Sequence, residues 1–180
     1  MSVWWKNCRL VAPKSSGSNS GMTERLTLFA RSAEDLQAIS AVLQDALVRV
    51  GDMKLYTDIN RFGLLVNRFR WEAEDADAAA APVDATRDQR FEGAVGYERV
   101  HCGVAFDNVR SVRMRGIDQD KRSRLLNLLA VQATETGLRL VFSQAAAILL
   151  ECNGIACQVR DLDEPWPTPW RPQHGAADAP

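Results

Sequence analysis

The sequence is poor in the residues that most often carry out catalysis. It has two histidines in 180 residues, so His101 and His174 are the histidine bases open to a hydrolase or transferase. No serine lies in a G-x-S-x-G motif, and neither a Walker loop nor a G-x-G-x-x-G motif is present, so nucleotide binding on a glycine-rich loop is unsupported. We therefore expect no catalytic residue and no cofactor.

Four scattered cysteines exclude two further classes. Cys8, Cys102, Cys152 and Cys157 lack the dense spacing of a disulfide framework, so reduced thiols in a cytoplasm are expected. A zinc site would have to combine them with His101, but adjacent residues of a strand point to opposite faces, and Cys152 and Cys157 do not form a C-x-x-C motif. The sequence predicts no metal site.

Long apolar runs and an excess of one charge are also missing. No run approaches the roughly 20 apolar residues that span a bilayer, and the N-terminus lacks the basic and apolar regions of a signal peptide. We expect a chain that is neither exported nor embedded in a membrane. The formal net charge is -1 and the pI about 6.1, so any site for a polyanion would have to be local.

What is present is typical of a single globular domain, with 46% hydrophobic and 25% charged residues. Residues 14–21, "KSSGSNSG", have the composition of a linker, so residues 1–21 are predicted to be a flexible appendage and residues 22–166 the domain. An acidic, alanine-rich loop over 73–90 is predicted to be disordered. Residues 167–180 form an extended, proline-rich tail in this interpretation.

Hydrophobic periodicity predicts many strands and few helices. "RLTLFA" alternates as a strand, and Ser32 followed by Asp35 predicts a capping box that starts a helix. Two extended runs around "TDIN" predict a hairpin. A long strand with one slip at "DN" and three short strands, "LLNLLAVQA", "LRLVFS" and "AAILLEC", follow.

The C-terminal region is compatible with two structures. Ile155, Val159, Leu162 and Trp166 have helical spacing, which favours a C-terminal helix. Asn153-Gly154 is a hairpin-turn signal, and Ile155, Cys157 and Val159 alternate as in a strand. We predict the helix, because four large apolar side chains fit its period.

The segment "RFGLLVNRFRWE", residues 61–72, combines arginines with aromatic residues. It resembles a surface that stacks nucleic-acid bases, but it also fits a half-buried strand. One extra residue near Asn67 and Arg68, a bulge, would turn all the large apolar side chains inward and leave Arg61 and Arg70 in solvent. We favour this second interpretation.

These elements predict an α+β fold that is mostly antiparallel, built as two packed sheets or a partly open barrel. One helix follows the first strand and a second closes the chain. The order resembles the pleckstrin-homology superfold, with seven strands and a capping helix. That likeness is topological and implies no function.

Four phrases, "AEDLQAISAVLQDA", "RFGLLVNRFRWE", "AILLEC" and "RPQH", together resemble the DUF2948 family of uncharacterised bacterial proteins. The resemblance runs from about Met22 to His174, apart from the acidic loop. It implies a compact single domain and assigns no activity, ligand or catalytic residue.

The candidate binding residues are five arginines: Arg68, Arg70, Arg113, Arg115 and Arg122. Arg113 and Arg115 share one strand face, which makes them a candidate patch for a phosphate or an anionic partner. The alternative, which we favour, is that a chain with 18 arginines and four lysines uses arginine on its solvated surfaces. The leading hypothesis is a non-enzymatic cytoplasmic binding or adaptor domain that engages an unknown protein partner or a small anionic group.

Two alternatives stay open. An enzyme could use the carboxylate pair Asp45 and Glu72, since paired acids carry out glycosidic chemistry. An RNA- or DNA-binding module could use Arg68, Arg70 and Trp71.

Overall fold

The computed structural model describes residues 25–73 and 97–172. Residues 71–73 are helical. The chain otherwise forms one α-helix and ten β-strands within the described residues. In chain order these are β1 (Thr27–Ala30), α1 (Ala33–Val42), β2 (Ala46–Tyr56), β3 (Arg61–Phe69), β4 (Tyr97–Phe106), β5 (Val109–Arg115), β6 (Leu125–Thr134), β7 (Gly137–Phe142), β8 (Ala147–Cys152), β9 (Cys157–Asp161) and β10 (Trp166–Thr168). The predicted appendage and most of the predicted acidic loop lie outside the described residues.

Helix α1 begins where the capping box predicts. The Ser32 hydroxyl accepts a hydrogen bond from the Asp35 backbone N–H at 3.1 Å, and the Asp35 carboxylate accepts one from the Ser32 N–H at 3.1 Å. These reciprocal bonds satisfy backbone donors that the first helical turn leaves free. Leu36 and Ile39, one turn apart, are buried, so the helix packs its apolar stripe on the sheet as expected.

All ten strands belong to one antiparallel sheet. Its hydrogen-bonded order is β1-β9-β4-β3-β2-β6-β7-β8-β5, and β10 pairs with β4 beside β9. Every strand except β10 contributes side chains to a single hydrophobic cluster, so the sheet curves around one core. The sheet is not closed: β1 and β5 are its two end strands. The predicted mostly antiparallel β architecture is confirmed.

The β2–β3 hairpin forms around residues 57–60, as predicted. The predicted bulge in β3 is wrong, because β3 pairs with β4 in unbroken register from Phe62↔Phe106 to Phe69↔Arg99. The irregularity lies instead in β2, where the pairing with β3 shifts between Val48 and Met53. There Gly51 donates its N–H to the Arg122 carbonyl at 2.8 Å. A Cβ at Gly51 would lie 3.0 Å from that oxygen, so glycine allows this close approach.

The long strand predicted around "DN" is two strands. The chain turns at Asp107 and Asn108, where Asn108 has φ 60°, a left-handed conformation that asparagine tolerates better than most residues. Strand β4 then pairs with β3 and β9, while β5 pairs with β8. The phase slip in the sequence therefore marks a corner between two distant parts of the sheet.

The predicted C-terminal helix is wrong. Asn153-Gly154 makes a turn with Gly154 at φ 75°, and β9 then inserts between β1 and β4. Cys157 and Val159 are both fully buried. A strand at this position satisfies the backbone groups of both neighbours, which outweighs the helical spacing of the apolar residues. Since that helix was the predicted capping element, the pleckstrin-homology-like topology is not confirmed.

Candidate functional site

Arg68 is at the centre of a buried ion-pair network. Its guanidinium donates from Nε and Nη2 to both carboxylate oxygens of Asp161, at 2.8 and 2.7 Å. It also donates from Nη2 and Nη1 to Glu72, at 2.7 and 3.1 Å. Only 1% of the Arg68 side chain is exposed. Burial by itself would lower the pKa of Arg68, but the bonds and charges of Asp161 and Glu72 outweigh it and raise that pKa.

Arg70 and Arg61 are also held by internal ion pairs. Arg70 pairs with Glu98 and lies 3.5 Å from Glu72, and the Arg61 side chain, 9% exposed, pairs with Asp107. The expectation that Arg61 and Arg70 point into solvent is therefore wrong. Of the five candidate arginines, Arg68 is buried in this network, and Arg70 is half-buried and held by carboxylates.

The aromatic residues of the same segment pack against each other. The Phe69 ring is fully buried and lies 4.5 Å from the Trp71 ring and 5.8 Å from the Tyr97 ring, between centroids. The Trp71 indole N–H approaches the Gln44 carbonyl at 3.5 Å. Stacking of a nucleic-acid base requires exposed rings. Of the residues in the nucleic-acid alternative, Arg68 is buried, while Arg70 and Trp71 are half-buried.

Arg113 and Arg115 lie on an exposed face that also contains a third arginine. Leu149 of β8 is opposite Arg139 of β7 on one side and Arg113 of β5 on the other, and residues in register share one face of a sheet. The next row is Val141, Ala147 and Arg115. We call Arg113, Arg115 and Arg139, with the floor of Leu149 and Ala147, the arginine face.

The arginine face is built by strict alternation. Leu138, Leu140, Ile148 and Leu150 are buried on the inner side of β7 and β8, which turns the intervening residues outward. Arg113, Arg115 and Arg139 are all exposed. Arg113 pairs with Glu151. Within the described part of the chain, Arg115 and Arg139 have no ion-pair partner, so they leave local positive charge at the surface.

Arg122 lies on the other side of β5. It lines a cavity of about 110 Å³ together with Val50, Gly51, Met53, Met114 and Gln119. The cavity occupies the gap between the irregular part of β2 and the end strand β5. Two methionines and a valine form the apolar part of its wall, and Gln119 and Arg122 form a polar part that carries positive charge.

Comparison with known protein families agrees with the sequence resemblance. The family model described as "Protein of unknown function (DUF2948)" matches residues 26–174. The chain belongs to this family. No curated protein and no solved structure matches the chain.

The carboxylates proposed as an acid pair have different partners in this DUF2948 protein. Asp45 is buried, and its carboxylate accepts a hydrogen bond from the Asn127 amide at 3.1 Å. Glu72 binds Arg68. Partial burial would raise the pKa of Glu72, but the hydrogen bonds and charges of Arg68 and Arg70 lower it. A glycosidase acid needs a raised pKa, so Glu72 is unsuited to that role.

Of the two histidines, His101 contacts other side chains of the DUF2948 domain, whereas His174 lies outside the described residues. Cys102 and Cys157 are free and buried. His101 Nδ1 lies 3.0 Å from Asp163, and its ring is 4.4 Å from the Trp166 ring, between centroids. Burial raises the pKa of both Cys102 and Cys157. In residues 25–73 and 97–172, no group of three or more potential ligands could hold a metal ion. Among the same residues no helix has the length and apolar character needed to cross a membrane.

Sequence reasoning missed Arg139. Nothing in the local pattern of "GLRLVF" links it to Arg113, because their proximity depends on the register of β7, β8 and β5. The sequence shows that Arg139 alternates with Leu138 and Leu140 and so points away from the core. It does not show which strands pair with β7.

Proposed function

We propose that this protein is a non-enzymatic cytoplasmic binding domain that engages an anionic group on a partner protein through the arginine face. The observation that carries the proposal is the row Arg139–Leu149–Arg113 with Arg115 beside it. Guanidinium groups bind carboxylates and phosphates with directed hydrogen bonds. The half-buried apolar floor of Leu149 and Ala147 between them adds contact area for a partner.

The spacing of the arginine face suits a partner with several negative groups. Neighbouring strands are about 4.8 Å apart, so the Cα atoms of Arg139 and Arg113 are separated by about 10 Å. Arg113 and Arg115 are about 7 Å apart along β5. At this spacing each of the three arginines can face a separate carboxylate of a chain with repeated acidic residues. This geometry favours an acidic protein segment as the ligand.

Fluorescence anisotropy with a labelled hexaglutamate peptide tests the proposal on the full-length chain. At low salt, about 20 mM NaCl, we expect binding that weakens in about 200 mM NaCl because surface charges are then screened. Replacing Arg113, Arg115 and Arg139 with glutamine is expected to weaken binding by about tenfold or more, since each exposed pair contributes up to about 1 kcal/mol.

A matched triple variant controls for net charge. Arg31, Arg49 and Arg160 are exposed arginines outside the arginine face, and their replacement by glutamine changes the charge equally. We expect this control to bind hexaglutamate nearly as well as the unmodified chain. Equal loss in both triple variants, or no binding by the unmodified chain, would overturn the proposal.

A further inference from the structure

The edge of β5 is the one long strand edge next to the arginine face. Within residues 25–73 and 97–172, β5 pairs as a strand with β8 alone. The Val109 N–H donates to the Asn60 carbonyl at 2.8 Å, which covers the start of β5. Residues 111–115 then continue beside the gap that contains the cavity. A strand edge with free backbone donors and acceptors is a template for a further strand.

The two faces of this edge differ in chemistry. Arg113 and Arg115 point to the outer face and are exposed. Val112 and Met114 point the other way and are half-buried against the core. A strand paired with β5 would follow the same alternation, because opposite residues share a face. Its outer side chains would contact arginines, and its inner side chains would contact valine and methionine.

The inner side of the edge has room for an apolar side chain. The cavity of about 110 Å³ lies against Met114 and Met53. Met53, Leu55, Val112, Met114 and Ile117 are all partly buried hydrophobic residues at the boundary of the core. An inner side chain of an added strand would cover this apolar surface, and Arg122 at the cavity would contact an acidic neighbour.

Spacing along the strand agrees with this pattern. Alternate residues of an extended chain are about 7 Å apart, which equals the separation of Arg113 and Arg115 on β5. Acidic residues at alternate positions can therefore each face one arginine. β5 itself carries three arginines, at positions 110, 113 and 115, and no acidic residue, so charge complementarity favours an acidic strand.

We propose that β5 binds an extended segment of a partner protein, with alternating acidic and apolar residues, as an added strand. The inference rests on the proposed function of the arginine face and specifies its ligand. Exposed arginines and an irregularity such as that at Arg110 also keep edge strands from pairing with other chains and aggregating. The experiment therefore has to distinguish an edge that binds a partner strand from an edge that prevents strand pairing.

Two capped, labelled peptides of equal composition make that separation. One alternates glutamate and valine over six residues, and the other carries three glutamates followed by three valines. Both have the same charge, but only the alternating peptide can place acids on one face and valines on the other. We expect the full-length chain to bind the alternating peptide about tenfold more tightly, a difference of about 1.4 kcal/mol.

Hydrogen exchange supplies a second readout. A strand added to β5 would protect backbone amides of residues 111–115, whereas contact with the arginine side chains alone leaves these amides as they are. We therefore expect slower exchange in residues 111–115 with the alternating peptide and no change with the block peptide. Residues 138–141 of β7, which already pair with β6 and β8, are the internal control.

Each outcome has a definite meaning. Equal binding of both peptides, lost in the Arg113, Arg115 and Arg139 triple variant, would overturn strand addition and leave the proposed function standing. Binding of neither peptide would overturn both. If replacing the acids at 74, 75 and 77 by amides raises the peptide affinity, the chain's own acidic segment competes for β5, and the assignment of a partner segment is wrong. A dimer that Arg115→Glu dissociates would assign the edge to a second copy.

Discussion

Arg68 and Asp161 form a bidentate ion pair in which both side chains are almost fully buried, at 1% and 6% exposure. The two residues are 93 positions apart in the sequence. Through this pair the end of β3 is joined to the end of β9 across β4. The buried charge of Arg68 is tolerated because its Nε and Nη2 groups each donate a hydrogen bond to one oxygen of the Asp161 carboxylate.

Arg68→Ala is expected to destabilise the domain by about 3–5 kcal/mol, because it leaves a buried carboxylate without its guanidinium. Urea denaturation followed by tryptophan fluorescence measures the change. Arg160→Ala is the matched control: Arg160 is adjacent to Asp161 but exposed, and we expect a change of about 0.5 kcal/mol or less. A loss below about 1 kcal/mol for Arg68→Ala would contradict the structural role assigned to the pair.

Glu72 gives the domain a pH dependence of known sign. Its pKa in the folded chain is lowered from the usual 4.5, so the ionised form is favoured by folding. The resulting stability is fully present above pH 4.5 and is lost as the pH falls through the folded-state pKa. Glu72→Gln removes this contribution. We expect the variant to lose less stability than the unmodified chain between about pH 5 and pH 3.

Urea midpoints at several pH values measure the difference. Glu34→Gln, an exposed carboxylate in α1, is the control and should follow the unmodified chain. Identical acid profiles for Glu72→Gln and the unmodified chain would show that the ion pair with Arg68 does not contribute in solution. The size of the effect is small, because about half of the Glu72 side chain is exposed.

The start of α1 and three of the strands are predicted correctly, because contacts between residues close in the sequence determine them. The capping box fixed the start of α1, because Ser32 and Asp35 satisfy each other within one turn. The three short strands are predicted from short apolar runs separated by turn residues, and the structure has them as β6, β7 and β8. In each case the deciding contacts lie within a few residues or follow from burial of one face.

The wrong predictions concern segments whose structure depends on contacts between residues far apart in the sequence. The bulge in β3 is predicted in order to turn Phe69 and Trp71 inward and to leave Arg61 and Arg70 in solvent, but β3 is regular. Arg68 is buried instead, and Asp161 and Glu72 compensate its charge. The C-terminal helix failed for a similar reason, since β9 fills the space between β1 and β4. Asp161 is far from Arg68 in the sequence, and the strands β1 and β4 are far from β9. The sequence around Arg68 or around β9 therefore does not identify these contacts. The same holds for Arg139, whose neighbour Arg113 is set by cross-strand register.

Two of the thiols are expected to be inert in the folded chain. Burial raises the pKa of Cys102 and Cys157, and the thiolate is the reactive form. In a Cys8→Ser chain at pH 8, we expect a disulfide reagent to label neither residue until urea unfolds the domain. Ser123→Cys adds an exposed thiol as a positive control. Mass spectrometry showing Cys102 or Cys157 labelled as fast as position 123 would contradict the burial described.

The arginines named above divide into those held in ion pairs inside the fold and those exposed on the arginine face. An NMR titration that follows the side-chain Nε–Hε signals of the full-length chain tests this division directly. With hexaglutamate we expect the signals of Arg113, Arg115 and Arg139 to shift and those of Arg68 and Arg70 to stay in place. Shifts at Arg68 and Arg70, with the arginine face unchanged, would contradict the account.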